Sequence, residues 1–170
     1  MKYLARKIVF LDIDGVVNTL QITEDLQPKY YTEYDERVGN EQAVRWLNKL
    51  CLESGAHIVI SSSWRHAGLV ACSNCLYNSG LDKKIKIIDK TPTHFNKSRG
   101  YEIKCWLKEH PEVYQFVILD DDSDMGSLTD HLVKCDGTKG FLAEEYYRAS
   151  EILDDFTSYL KALNDEFSKD

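Results

Sequence analysis

The sequence predicts an α/β fold: a doubly wound parallel sheet with helices on both faces, three layers in all. Two observations carry this. Short runs that are apolar on both faces alternate with stretches whose apolar residues recur at helical spacing. Three of the apolar runs also lead straight into polar clusters: Asp12-Ile13-Asp14, Ser61-Ser62-Ser63 and Asp120-Asp121-Asp122. In parallel sheets, ligands gather beyond the carboxyl ends of the strands, where these clusters fall.

Residues 8–11 are apolar on both faces and rich in β-formers, as expected of a strand in the middle of a sheet. The polar stretch from about 18 to 38, with Pro28, Tyr30, Tyr31 and Tyr34, is expected to form a loop or flap. Asn40 is suited to cap a helix that has Glu41 in its first turn. Val44, Leu47, Leu50 and Cys51 follow at helical spacing, and Gly55 ends it. Residues 56–60 read as a second buried strand. Residues 66–78 read as a helix closed by Gly80, and residues 85–88 as a third strand. After Pro92, a helix starting near Gly100 carries Ile103, Trp106 and Leu107 and stops before Pro111. Residues 116–119 form a fourth strand and residues 132–135 a short fifth. Ala149, Ile152, Leu153, Phe156, Leu160 and Leu163 share one stripe of a final helix. With no repeat, low-complexity tract or linker, residues 1–170 are expected to make a single domain.

At 43% hydrophobic and 29% charged residues, a chain of this length buries a core and is not a disordered one. A formal net charge of −7 opposes tight nonspecific binding to long nucleic acid. The charge is uneven, however. Between residues 81 and 104, seven Lys/Arg stand against Asp82, Asp89 and Glu102, a net of +4 that suits a phosphorylated substrate. Five scattered cysteines suggest reduced thiols in the cytoplasm. Cys72 and Cys75 form one CxxC with no second pair nearby, and are read as a helix face and not a zinc site. The basic N-terminus before an apolar run is not read as a signal peptide, because Asp12 and Asp14 interrupt the run too early. No segment has the length to span a bilayer, and nothing implies an obligate protein partner.

The polar clusters carry the chemistry. Asp12 and Asp14 point to the same side if strand geometry persists, with Ile13 turned to the core and Gly15 letting the chain bend away. Two carboxylates in different environments can divide labour between nucleophile and general acid/base. If the first and fourth strands are neighbours, Asp120, Asp121 and Asp122 face this pair. So many carboxylates in one cleft call for a cation, and Mg²⁺ suits a site that also binds phosphate. The serines after the second strand can hold phosphate oxygens, while Trp64 is read as packing. Lys97 or Arg99, at a helix start, can stabilise a transferring phosphoryl group.

In this order, LDIDGVVN, IVISSSWR, the basic residue before GYEIKCWL, and VILDDDSD resemble the haloacid dehalogenase (HAD) superfamily of phosphohydrolases. The resemblance runs from Ile8 to about Leu142 and is similar more narrowly to the HAD domains of RNA-repair proteins. It implies that Asp12 attacks phosphorus and becomes an aspartyl-phosphate, and that Asp14 protonates the leaving oxygen and then activates water. It implies Mg²⁺ on the Asp12 carboxylate, the Asp14 carbonyl and an acid of the last motif, with Asp120 and Asp121 preferred as the first two past the strand. Ser61 or Ser62 would bind phosphoryl oxygens together with Arg99 or Lys97. Arg99 is preferred, since it sits at the helix start. The short spacings leave no room for a large cap domain. An open site suits a bulky phosphorylated substrate such as a nucleotide or nucleic-acid end, on which the flap tyrosines can stack. Two other readings remain: a receiver-like module that keeps its aspartyl-phosphate, although its motifs come in a different order, and a catalytically silent HAD scaffold.

Overall fold

The computed structural model describes residues 6–19 and 40–155. Period-two alternation sets its architecture. In β1 (Arg6–Leu11), Ile8 and Phe10 face one side and Val9 and Leu11 the other, and all four are fully buried. A strand with two apolar faces belongs inside a sheet. The order is β3-β2-β1-β4-β5, with β2 at His57–Ile60, β3 at Ile87–Lys90, β4 at Val113–Asp120 and β5 at Leu132–Lys134. Every pairing is parallel.

The helices are α1 (Glu41–Ser54), α2 (Leu69–Asn78), α3 (Arg99–Glu109) and α4 (Ala143–Asp154). Residues of α1, α2 and α4 bury against the Val9 and Leu11 face. The opposite face is covered by Ile103 and Trp106 of α3, with Met125. There Phe10 meets Trp106 and Phe116 edge-on, at centroid distances of 5.4 and 5.7 Å. Such pairs contribute about 0.5–1.5 kcal/mol each beyond burial and tie β1 to α3.

The chain winds outward from β1 through β2 to β3, then returns along the other face by α3 to β4. The winding therefore reverses between β1 and β4, the position where doubly wound sheets open a crevice. The predicted α/β fold class is the one observed. Among the described residues there is no cap domain.

Local signals explain most boundaries. Asn40 Oδ1 accepts the Ala43 N–H at 3.0 Å, and Gly55, at φ 71°, returns its N–H to the Cys51 carbonyl. Two expectations shift. The third strand starts at Ile87 and not Ile85, because Asp82 holds a turn through Lys84 N–H (2.8 Å) and Ile85 N–H (3.0 Å). Ile85 packs into the core from that turn. The expected helix over 66–78 splits at Gly68, whose φ of 98° is open to glycine. A 3₁₀ turn (Ser63–Ala67) precedes it and α2 follows. The last helix is described to Asp154, so Phe156, Leu160 and Leu163 of its predicted stripe lie outside the described residues, as do Tyr30, Tyr31, Tyr34 and nearly all of the flap.

Candidate active site

Leu11 pairs with Ile60 on one side and Leu119 on the other. The ladder runs one step further: Ser61 N–H donates to the Leu11 carbonyl at 3.0 Å and Asp12 N–H to the Leu119 carbonyl at 2.9 Å. Ser61, Asp12 and Asp120 thus stand abreast at the carboxyl ends of β2, β1 and β4. Alternation gives them the parity of Val59, Phe10 and Ile118, the face that α3 covers. All three are buried. Among the described residues the Ser61 hydroxyl has no hydrogen-bond partner. The Ser62 hydroxyl accepts the Trp64 N–H at 3.3 Å and caps the 3₁₀ turn.

The start of α3 closes this row. Arg99 Nη1 lies 2.8 Å from Asp12 Oδ1 and 3.0 Å from Asp120 Oδ2. Its backbone N–H donates to Asp124 Oδ2 at 2.9 Å, and Gly100 N–H donates to the Asp124 carbonyl at 3.3 Å. Asp124 thus satisfies the open N–H groups of the first turn, which favours a negative partner. Lys97, by contrast, is exposed, and its ammonium sits 5.3 Å from the centre of the Tyr101 ring.

Asp12, Asp120 and Asp121 each offer an oxygen within 4.8 Å of the others. Burial pushes the Asp120 carboxyl up to about 7. Arg99 opposes the rise and the neighbouring Asp12 adds to it. Burial, then Asp12, raises Asp121 as well. Oxygen ligands at this spacing could hold a small hard ion. Room for Asp121 is built in. A Cβ on Gly15 would lie 2.3 Å from Asp121 Oδ2, and one on Gly137 2.9 Å from it. Asp122 stands apart, exposed, donating its N–H to Asp120 Oδ1 at 2.9 Å.

Asp14 lies beyond the strand. The strand stops at Leu11, and residues 13–18 form a turn in which Val17 and Asn18 N–H groups donate to the Ile13 carbonyl. The Asp14 carboxylate is exposed, held by Asn18 Nδ2 and Trp64 Nε1, each at 2.8 Å, outside the three-acid group.

The family model described as the HAD domain in Swiss Army Knife RNA repair proteins matches residues 8–146. The chain belongs to this HAD family. No curated protein and no solved structure matches it significantly. Membership places the chain in a hydrolase superfamily. In the described residues of this HAD domain, no helix is long and apolar enough to cross a membrane.

The HAD motifs left several side chains unread. Trp64, taken as packing, reaches Asp14. Arg65 is buried and paired within the protein. Its Nη1 donates to the Ser61 and Ser62 carbonyls (2.8 and 2.9 Å), and its Nη2 pairs with Glu102 of α3 at 2.6 Å. Cys72 and Cys75 lie on α2 against the core. Gly100 allows α3 to approach the segment that follows β4 closely, since a Cβ there would lie 2.2 Å from the Met125 carbonyl oxygen. Glycine to alanine inside a helix ordinarily stabilises. Here the sign inverts: Gly100→Ala is expected to cost about 1–3 kcal/mol and to push Arg99 off Asp12 and Asp120. Thermal melting together with hydrolysis assays checks both effects.

Proposed function

We propose that the 170 residues act as one Mg²⁺-dependent phosphatase domain that removes a phosphate monoester through an aspartyl-phosphate on Asp12. The observation that carries this is the row of Ser61, Asp12 and Asp120 closed by Arg99 at the end of the sheet. Phosphoryl transfer needs an in-line nucleophile and neutralised oxygens more than covalent machinery, and this row supplies both.

In the first step an Asp12 oxygen bonds to phosphorus as the bond to the leaving oxygen breaks, and the proton of Asp14 goes to that oxygen. In the second, water attacks phosphorus, its proton returns to Asp14, and the bond to Asp12 breaks, releasing phosphate. The Ser61 hydroxyl, without a partner among the described residues, and Arg99 bind phosphoryl oxygens. Magnesium would be held by Asp12, Asp120 and Asp121 with the Asp14 carbonyl, and would neutralise charge on acids and phosphate alike. The family's description supports a nucleic-acid end as the substrate, in keeping with the absence of a cap domain among the described residues.

The test is hydrolysis of p-nitrophenyl phosphate with Mg²⁺, followed by small phosphorylated metabolites and by DNA and RNA bearing terminal phosphates. A folded, magnesium-supplied protein inert toward all of them would overturn the reading.

The acids make a second prediction. Asp120 holds its proton up to about 7 in the folded protein, against 3.8 unfolded. Between those values the folded state binds more protons, so this group's contribution to stability falls as pH rises. Mg²⁺ relieves that loss only where the carboxyl would ionise. The rise in Tm on adding Mg²⁺ is therefore expected to be larger at pH 8 than at pH 5. An increment independent of pH would count against metal on these acids.

A further inference from the structure

Asp14 is tethered from two directions. Asn18 donates to Oδ1 and Trp64 to Oδ2, each at 2.8 Å. Asn18 belongs to the same turn, where its carbonyl accepts the Gly15 N–H at 2.7 Å, so it moves with Asp14. Trp64 does not. It comes from the segment after β2, and that segment is anchored on its own account. The Ser62 hydroxyl accepts the Trp64 N–H at 3.3 Å, Cys72 Sγ donates to the Trp64 carbonyl at 3.3 Å, and the ring packs against the core of α1 and α2. The indole N–H is thus a fixed external point for a carboxylate that is otherwise exposed on a turn.

We propose that Trp64 is a positioning residue for proton transfer, setting the orientation in which Asp14 meets the leaving oxygen. This rests on the reading of Asp14 as the proton-transfer group. An indole N–H only donates, so Trp64 passes no proton itself. Each carboxylate oxygen accepts more than one hydrogen bond, so Oδ2 keeps a lone pair for the transferred proton. An exposed Asp side chain samples several rotamers. Fixing one before substrate arrives takes that ordering out of the barrier.

The role predicts a dependence that packing alone does not. Trp64→Phe keeps an aromatic ring and removes the N–H. Its effect on kcat/KM should grow with the basicity of the leaving group, because p-nitrophenolate departs with little protonation and an alkoxide does not. We expect a loss of about 3-fold or less for p-nitrophenyl phosphate and about 30-fold or more for a simple alkyl phosphate, within the range a whole general acid contributes. Asp14→Asn should show the same trend more steeply. If Trp64→Phe disturbs folding, benzothienylalanine at position 64 keeps the tryptophan shape with sulfur in place of N–H and reads the same trend. A uniform loss across leaving groups, or none, overturns the role while the phosphatase reading stands. A wild-type protein without activity on any of these substrates removes that reading, and the role with it.

Discussion

Asp12→Asn is expected to leave a folded protein with no measurable turnover, a loss of at least about 10⁴-fold in kcat, as for removal of a covalent nucleophile. The amide has nearly the carboxylate's shape but not its nucleophilicity. Stability should hold or rise. Asp12 faces Asp120 and Asp121 in a largely buried group, so removing one charge relieves repulsion, and the Asn oxygen can still accept from Arg99 at the 2.8 Å position. Hydrolysis of p-nitrophenyl phosphate beside a thermal melt separates the two effects. An Asp12→Asn protein retaining a tenth of the activity would dismiss covalent catalysis here. A wild-type phospho-Asp12 that persists without turnover would instead favour the receiver-like reading.

Glu102→Gln should cost about 3–5 kcal/mol by urea unfolding, because it strands the Arg65 charge in the interior. Both side chains are about 6% exposed. Arg65 also holds the carbonyls of Ser61 and Ser62, and the other Glu102 oxygen accepts the His94 N–H at 2.8 Å. The pair therefore ties the serine segment, the loop before α3 and α3 itself into one unit. The double exchange Arg65→Met with Glu102→Leu should recover much of the stability, since apolar pairs replace buried ion pairs well. It should not recover activity, because the Ser61 carbonyl loses its anchor. Recovery of both would mean that the pair is a packing element only.

The sheet and the order of its motifs were legible in the sequence because strands buried on both faces leave uninterrupted apolar runs. Residues 8–11 and 116–119 show it: their ends bring Asp12 beside Asp120. The Asn40 and Gly55 ends of α1 were legible for the same kind of local reason. What stayed hidden was contact between distant segments. Nothing in Ser-Ser-Ser-Trp-Arg distinguishes an indole aimed at Asp14 from one in the core, or an arginine for substrate from one paired with Glu102. Gly100 looked like a helix-start residue, and only the approach of Met125 explains it. Local spacing placed Asp12 and Asp14 on one side. What it did not give was their partners: the strand stops at Leu11, Asp14 is held from the turn at residues 13–18 by Asn18 and Trp64, and Asp12 faces Arg99.

Adjacent strands in a sheet lie about 4.8 Å apart. Ser61, Asp12 and Asp120 sit on three consecutive strands at one level, so main-chain hydrogen bonds set the width of the reacting row. The sheet works as a ruler whose divisions do not depend on which hydrocarbon fills the interior. Exchanges such as Ile58→Val or Val117→Ile should therefore alter how long the protein survives heating while leaving its selectivity among phosphate esters untouched.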